Sequence, residues 1–199
     1  MPATYVEVNG AYEIGTVYGG GYGASTIDFT NPGANVNGST DVLLKGGTIH
    51  EVYGGSNTKG NIVVGSNVNI SDGSGCCDLK VDNIYGGGKN ASMEGGTSIV
   101  LGCQPNTWIE DIYAGSREAD VDGDVSLTIT SGKFERVFGG NKTSGKLKGS
   151  ITVNIEETGS CGTPIIIGEL YAGGNEADYS IYGSMARIVR RSYAMLAFT

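Results

Sequence analysis

Six times along this chain an aliphatic residue is followed by an aromatic and two small residues. The copies are Val17-Tyr18-Gly19-Gly20, Val52-Tyr53-Gly54-Gly55, Ile84-Tyr85-Gly86-Gly87, Ile112-Tyr113-Ala114-Gly115, Val137-Phe138-Gly139-Gly140 and Leu170-Tyr171-Ala172-Gly173. They recur at intervals of 25 to 35 residues, which is the period of a stacked repeat protein. A unit of that size cannot bury its apolar face by itself, so each copy must close its core against the next.

The register extends beyond the four residues. Three positions before each aliphatic residue stand Ile14, Ile49, Val81, Ile109, Phe134 and Ile167. Six positions after each aromatic stand Ala24, Lys59, Ala91, Ala119, Ser144 and Ala177, the start of a short polar path out of the core. A residue type that returns in register points the same way each time, and the two aliphatic rows therefore line the inside. A second strand also recurs, as Asp41 to Leu44, Val68 to Ile70, Ile99 to Leu101, Val125 to Ile129 and Ile151 to Ile155. The last two alternate apolar and polar with period two, and helical spacing is absent.

These signals predict an all-β chain of two or three short strands per repeat, joined at glycine turns. Stacked about 4.8 Å apart, the copies would pair in parallel over about 30 Å. Parallel connections of this kind are right-handed. The expected fold is a right-handed parallel β-helix, a β-solenoid, of about six coils. It would occupy residues 1–183, with 184–199 as a C-terminal cap or truncated repeat. The stretch Tyr179 to Arg190 can be aligned as the second strand of a seventh coil, and a short helix over the open end is the other reading. Because Tyr5 to Val17 matches the second half of a later repeat, the chain is expected to be a segment of a longer array. Loop lengths vary at two corners, in Ser71–Asp82, Gly102–Asp111 and Glu156–Glu169 after the second strand and in Gly21–Thr40 after the glycine pair. Such corners are where repeat proteins build a binding face.

Composition narrows the function classes. Thirty-five glycines beside only four prolines, without a triplet period, exclude collagen, and the steady valine and isoleucine content argues against disorder. Thirteen basic residues against twenty-one acidic ones give a net charge of −8, which repels phosphate backbones, so nucleic acid is not an expected partner. No apolar run reaches membrane-spanning length, so no membrane insertion by this segment is expected. Met1-Pro2-Ala3-Thr4 has no signal-peptide character, and an export signal would have to lie outside this chain. The three arginines at 187, 190 and 191 are fewer than a polybasic membrane anchor uses.

The aromatic row Tyr18, Tyr53, Tyr85, Tyr113, Phe138 and Tyr171 is the first candidate for ligand binding. Facing out, it would be a platform for sugar rings; facing in, it would be core packing. Phe138, which lacks the hydroxyl, tips the balance toward packing. The second candidate is Glu118-Ala-Asp120-Val-Asp122-Gly-Asp124, whose carboxylates suit calcium. Its spacing does not follow the EF-hand loop or the calcium-binding nonapeptide, and a solvated turn is the simpler reading. Apart from calcium there, no cofactor is expected. Gly140 to Lys146 matches the first seven positions of a phosphate-binding loop, but Leu147 stands where Ser or Thr must hold magnesium.

His50, the only histidine, has no nucleophile placed near it by the pattern. Its equivalents Asp82, Glu110, Glu135 and Gly168 mark the position as polar and exposed. Asp111, Glu135 and Arg136 fall near one corner in neighbouring repeats and are the one set that an acid–base mechanism could recruit. Four cysteines show no zinc or thioredoxin spacing. Cys76, Cys103 and Cys161 share a corner, so at most one disulfide is expected, from Cys76 or Cys77 to Cys103.

The recurrent [Val/Ile]-Tyr-Gly-Gly, with strands such as Asp124-Val-Ser-Leu-Thr-Ile-Thr-Ser-Gly-Lys-Phe134, resembles the repeats of adhesin-like bacterial surface proteins, common in gut Bacteroidetes and Firmicutes. The likeness runs to about Tyr182 and implies a pectin-lyase-like β-helix, a fold many of whose members are not enzymes. No polysaccharide lyase or polygalacturonase motif is present. The expected function is a non-enzymatic, extracellular or cell-surface stalk or binding surface for host or bacterial glycans or proteins. A carbohydrate-active β-helix enzyme, a polysaccharide lyase or glycoside hydrolase with its site on the loop corner, is the alternative. Ice binding would need flat rows of threonine, and Thr48, Thr128 and Thr152 are too scattered.

Overall fold

A computed structural model describes residues 2–24, 33–70, 77–104, 106–157, 163–177 and 186–192. Among the described residues there are thirteen strands and no helix. The odd-numbered strands form one parallel sheet: β1 (Thr4–Val8), β3 (Ser39–Leu44), β5 (Gly65–Ile70), β7 (Gly96–Leu101), β9 (Val125–Ile129), β11 (Ile151–Glu157) and β13 (Ala186–Ser192). The even-numbered strands form a second: β2 (Glu13–Tyr18), β4 (Gly47–Tyr53), β6 (Leu79–Tyr85), β8 (Thr107–Tyr113), β10 (Gly132–Phe138) and β12 (Ile165–Tyr171). The chain thus visits the two sheets alternately and advances one strand in each, an arrangement compatible with a parallel β-helix.

The reason lies in the two sequence rows. In the first sheet the inward positions alternate, so Val42, Val68, Ile99, Leu127 and Val153 meet in register, as do Leu44, Ile70, Leu101 and Ile129. In the second sheet the inward residues are three apart: Ile49 and Val52, Val81 and Ile84, Ile109 and Ile112, Phe134 and Val137, all buried. Strict alternation cannot place both members of such a pair inside. Each strand therefore breaks register once between them, and the ladder skips His50, Asp82, Glu110 and Glu135. A third, narrower side joins the sheets through isolated bridges that put Val36, Ile62, Met93, Val121 and Leu147 into the same core. β13 pairs with β11 across seven residues, so the described part of the C-terminal segment is a further strand of the first sheet.

The glycine pair turns the corner without interrupting the ladder. Gly54 N–H donates to Tyr85 O at 2.9 Å and Gly86 N–H to Tyr113 O at 3.0 Å. A Cβ on Gly54 would fall on the carbonyl oxygen of Gly86, and one on Gly86 would fall on that of Ala114. Hydroxyl groups close the same corner from inside. Thr40 donates to Gly54 O at 2.5 Å, Ser66 to Gly86 O at 2.5 Å and Thr97 to Ala114 O at 2.6 Å, so these carbonyls are not left unpaired in the core.

Gly86→Val is expected to destabilise the chain by about 3 kcal/mol, through overpacking against a fixed carbonyl. Gly15→Ala is expected to change stability by less than about 0.5 kcal/mol, because nothing lies within 4 Å of that Cβ. Urea unfolding of the two variants checks the contrast, and equal losses would contradict it.

Candidate functional site

Each aromatic of the repeat follows an inward aliphatic residue, so strand alternation turns it away from the main core. The rings nevertheless stack on one another in an unbroken column. Centroid separations from Tyr18 through Tyr53, Tyr85, Tyr113 and Phe138 to Tyr171 are 4.9, 4.6, 5.2, 4.7 and 4.9 Å, with interplanar angles of 5 to 10°. Tyr53, Tyr85, Tyr113 and Phe138 are buried, Tyr18 is partly buried, and Tyr171 is 44% exposed. Both faces of the four inner rings are taken by neighbouring rings. The column is therefore a second packing layer along most of its length, and the outward sugar platform is not formed there.

Long side chains from the following turns roof this layer. Lys142 Nζ lies 5.2 Å from the Tyr113 centroid and 5.8 Å from that of Tyr85, and it donates to Asn83 Oδ1 at 3.2 Å. Arg117 reaches back two repeats to Glu51 Oε1 at 3.3 Å and to the Tyr53 hydroxyl at 3.5 Å. Burial is the main cause that pushes the Tyr53, Tyr85 and Tyr113 hydroxyls well above the ordinary tyrosine value.

Two residues before the aromatics runs the register row Glu51, Asn83, Asp111, Arg136 and Glu169. Asp111 and Arg136 form a bidentate pair, Nε to Oδ1 at 2.7 Å and Nη2 to Oδ2 at 2.6 Å. Asp111 is buried and also accepts the Tyr113 hydroxyl at 3.2 Å. Both its oxygens are engaged. Glu135 is exposed on the neighbouring row, so the three residues proposed for acid–base work do not converge. His50 is half exposed, its Nδ1 2.6 Å from Asp82 Oδ2, and that contact raises its pKa.

Asp120, Asp122 and Asp124 are not brought together either. Asp120 Oδ1 accepts Lys146 N–H at 2.8 Å, Asp124 Oδ1 accepts Ser150 N–H at 2.8 Å, and Asp122 pairs with Lys148 Nζ at 2.8 Å. They tie one repeat to the next, as Asn61 does when it accepts Glu94 N–H at 2.9 Å. Among the described residues no three His, Cys, Asp or Glu side chains are placed to hold a metal ion. Cys77 and Cys103 are both disulfide-bonded, while Cys76 and Cys161 lie outside the described residues.

One feature of the outer surface has no counterpart among the sequence candidates. The row Glu13, Thr48, Lys80, Trp108, Lys133 and Ile166 faces outward on the second sheet. Beside the indole opens a cavity of about 520 Å³ lined by Asp78, Asn106, Lys133, Pro164 and Ile166, among others. The signal available in the sequence was the chain's single tryptophan, standing in a register row that is polar but for Ile166.

Comparison with known proteins finds no family model, no curated protein and no solved structure that this chain matches.

The buried hydroxyls predict an alkaline transition. A tyrosine whose folded pKa is raised contributes stability that is whole below about pH 10, the unfolded value, and is lost as pH rises toward the folded one. In a spectrophotometric titration of the eleven tyrosines, at least three are expected to stay neutral until the chain unfolds. Smooth ionisation of all eleven near pH 10 without unfolding would contradict the buried column.

Proposed function

We propose that this chain is a right-handed parallel β-helix of about six coils. Its function is that of a non-enzymatic segment of an extracellular or cell-surface protein, similar to adhesin-like repeats. It holds a binding surface for host or bacterial glycans or proteins at a distance on a rigid axis. The observation that carries this reading is that the conspicuous charged groups are spent between repeats. Arg136 closes on Asp111, Arg117 on Glu51, and Asp120 and Asp124 on backbone N–H groups of the next repeat. Glycoside hydrolysis or β-elimination needs an acid and a base that converge on a groove with capacity to spare. In-register side chains that satisfy one another instead supply rigidity, which is what a stalk or display scaffold requires.

The outer face of the first sheet fits display as well. Its register row Asp41, Asn67, Ser98, Ser126 and Thr152 consists of short polar side chains. These side chains are partly exposed in every repeat.

The test is to incubate the purified chain with a panel of polysaccharides and assay new reducing ends and unsaturated products. The same chain is then passed over immobilised glycans and surface proteins. Retention on part of the panel with no product is the expected result. Time-dependent release of reducing ends that Asp111→Asn abolishes would overturn the reading in favour of an enzyme.

A further inference from the structure

Trp108 sits on the outer face of the second sheet between two lysines that are its register partners, Lys80 on β6 and Lys133 on β10. Lys80 Nζ lies over the indole, 5.2 Å from the ring centroid, and so occupies the β6 side. The cavity of about 520 Å³ opens on the other side, toward Lys133, Pro164 and Ile166. Ile166 is 49% exposed although it is a large aliphatic residue. The two apolar walls, Trp108 and Ile166, stand two strands apart, which is about 9.6 Å at the usual strand spacing. Lys133 rises from the strand between them, and the cavity of about 520 Å³ beside the three residues has room for one saturated six-membered ring.

The polar groups select what kind of ring. Lys133 is exposed and enters no ion pair among the described residues, in a chain of net charge −8. Its ammonium is therefore available to a carboxylate presented in the cavity. Two residues farther along the strands stand Glu110 and Glu135, about 6.6 Å on, which weaken the field of Lys133 at that end, so a ligand carboxylate has to approach it from the cavity side. The opposite rim carries Asp78, Asn106 and Thr163, donors and acceptors suited to hydroxyl groups. Asn106 is the one described residue other than glycine with positive φ, at 59°, and its Nδ2 donates to Asp78 Oδ1 at 3.0 Å. Asparagine is the residue besides glycine that enters this region most readily, and the turn fixes its amide on the rim of the cavity.

We propose that Trp108 and Lys133 form a binding site for a pyranose that carries a carboxylate, such as a hexuronate or a sialate. The indole takes the C–H face of the ring, Lys133 Nζ pairs with the carboxylate, and the Asp78–Asn106 rim accepts and donates to the hydroxyls. The site rests on the reading of the chain as a binding surface and names its ligand class.

Because Trp108 is the only tryptophan, its emission reports this site alone. The full chain is titrated to millimolar levels with glucuronate, N-acetylneuraminate, glucose and inorganic phosphate, and the titrations are repeated with Lys133→Met, which keeps the apolar stem. A saturable emission change is expected with at least one of the two acids. Glucose should bind about tenfold or more weakly, and Lys133→Met should lose the acid by a similar factor, the worth of one charged hydrogen bond, with unchanged melting. Silence toward both acids, equal response to glucose, or full competition by phosphate, which has no ring to stack, would each overturn the proposal. If the chain is retained on immobilised glycans while Trp108 emission stays silent, this site fails and the binding-surface reading stands. If it is retained on nothing and emission is silent, both fail.

Discussion

Every feature of this structure depends on one constraint, the parallel in-register pairing that sets each repeat about 4.8 Å above the last. At that spacing identical side chains must touch their own copies, so only residues that tolerate self-stacking can fill a row. Aliphatic residues do so by burial, and aromatic rings do so in parallel, offset contact. The ring separations of 4.6 to 5.2 Å follow the backbone repeat. The same constraint explains why small residues hold the corners, where the carbonyl of the next repeat occupies the space of a Cβ.

Charged rows obey it in the opposite sense. Like charges stacked at one strand spacing repel, and water around a half-buried row screens them poorly. The row beside the aromatics accordingly changes type from repeat to repeat, Glu51, Asn83, Asp111, Arg136 and Glu169. Its members find partners along the axis, as Asp111 does in Arg136, or in the turns, as Glu51 does in Arg117 and Lys89. The outward row of the second sheet likewise changes type, with Lys80 and Lys133 on either side of Trp108.

The aliphatic rows and the second strands were legible in the sequence because they rest on residue type recurring in register, which is a local pattern. Both sheets are parallel and the rows Ile49 to Phe134 and Val52 to Val137 are buried as that pattern predicts. The orientation of the aromatics was not legible. Alternation turns Tyr53 away from the core, and it is covered by Tyr18 and Tyr85 on its two faces and by Arg117, two repeats later, at its hydroxyl, the last a contact no window of sequence contains. The third side was hidden for a related reason, since Met93, Val121 and Leu147 are single apolar residues among turn residues and Ile62 opens only a three-residue apolar run. Asp120, Asp122 and Asp124 offer carboxylates of the kind a cation takes, yet two of them accept backbone N–H groups of the next repeat. Trp108 was passed over because one tryptophan has no period.

The central claim is the stacking register itself, and a distance along one row tests it directly. Glu7, Leu43, Asn69, Val100, Thr128 and Asn154 are successive register partners on the outward side of the first sheet. Spin labels placed at Glu7 and Asn154 are therefore separated by five strand spacings. Pulsed electron paramagnetic resonance should return a narrow distribution centred near about 24 Å. A centre beyond about 30 Å, or a broad distribution with no defined maximum, would contradict a single stacked register.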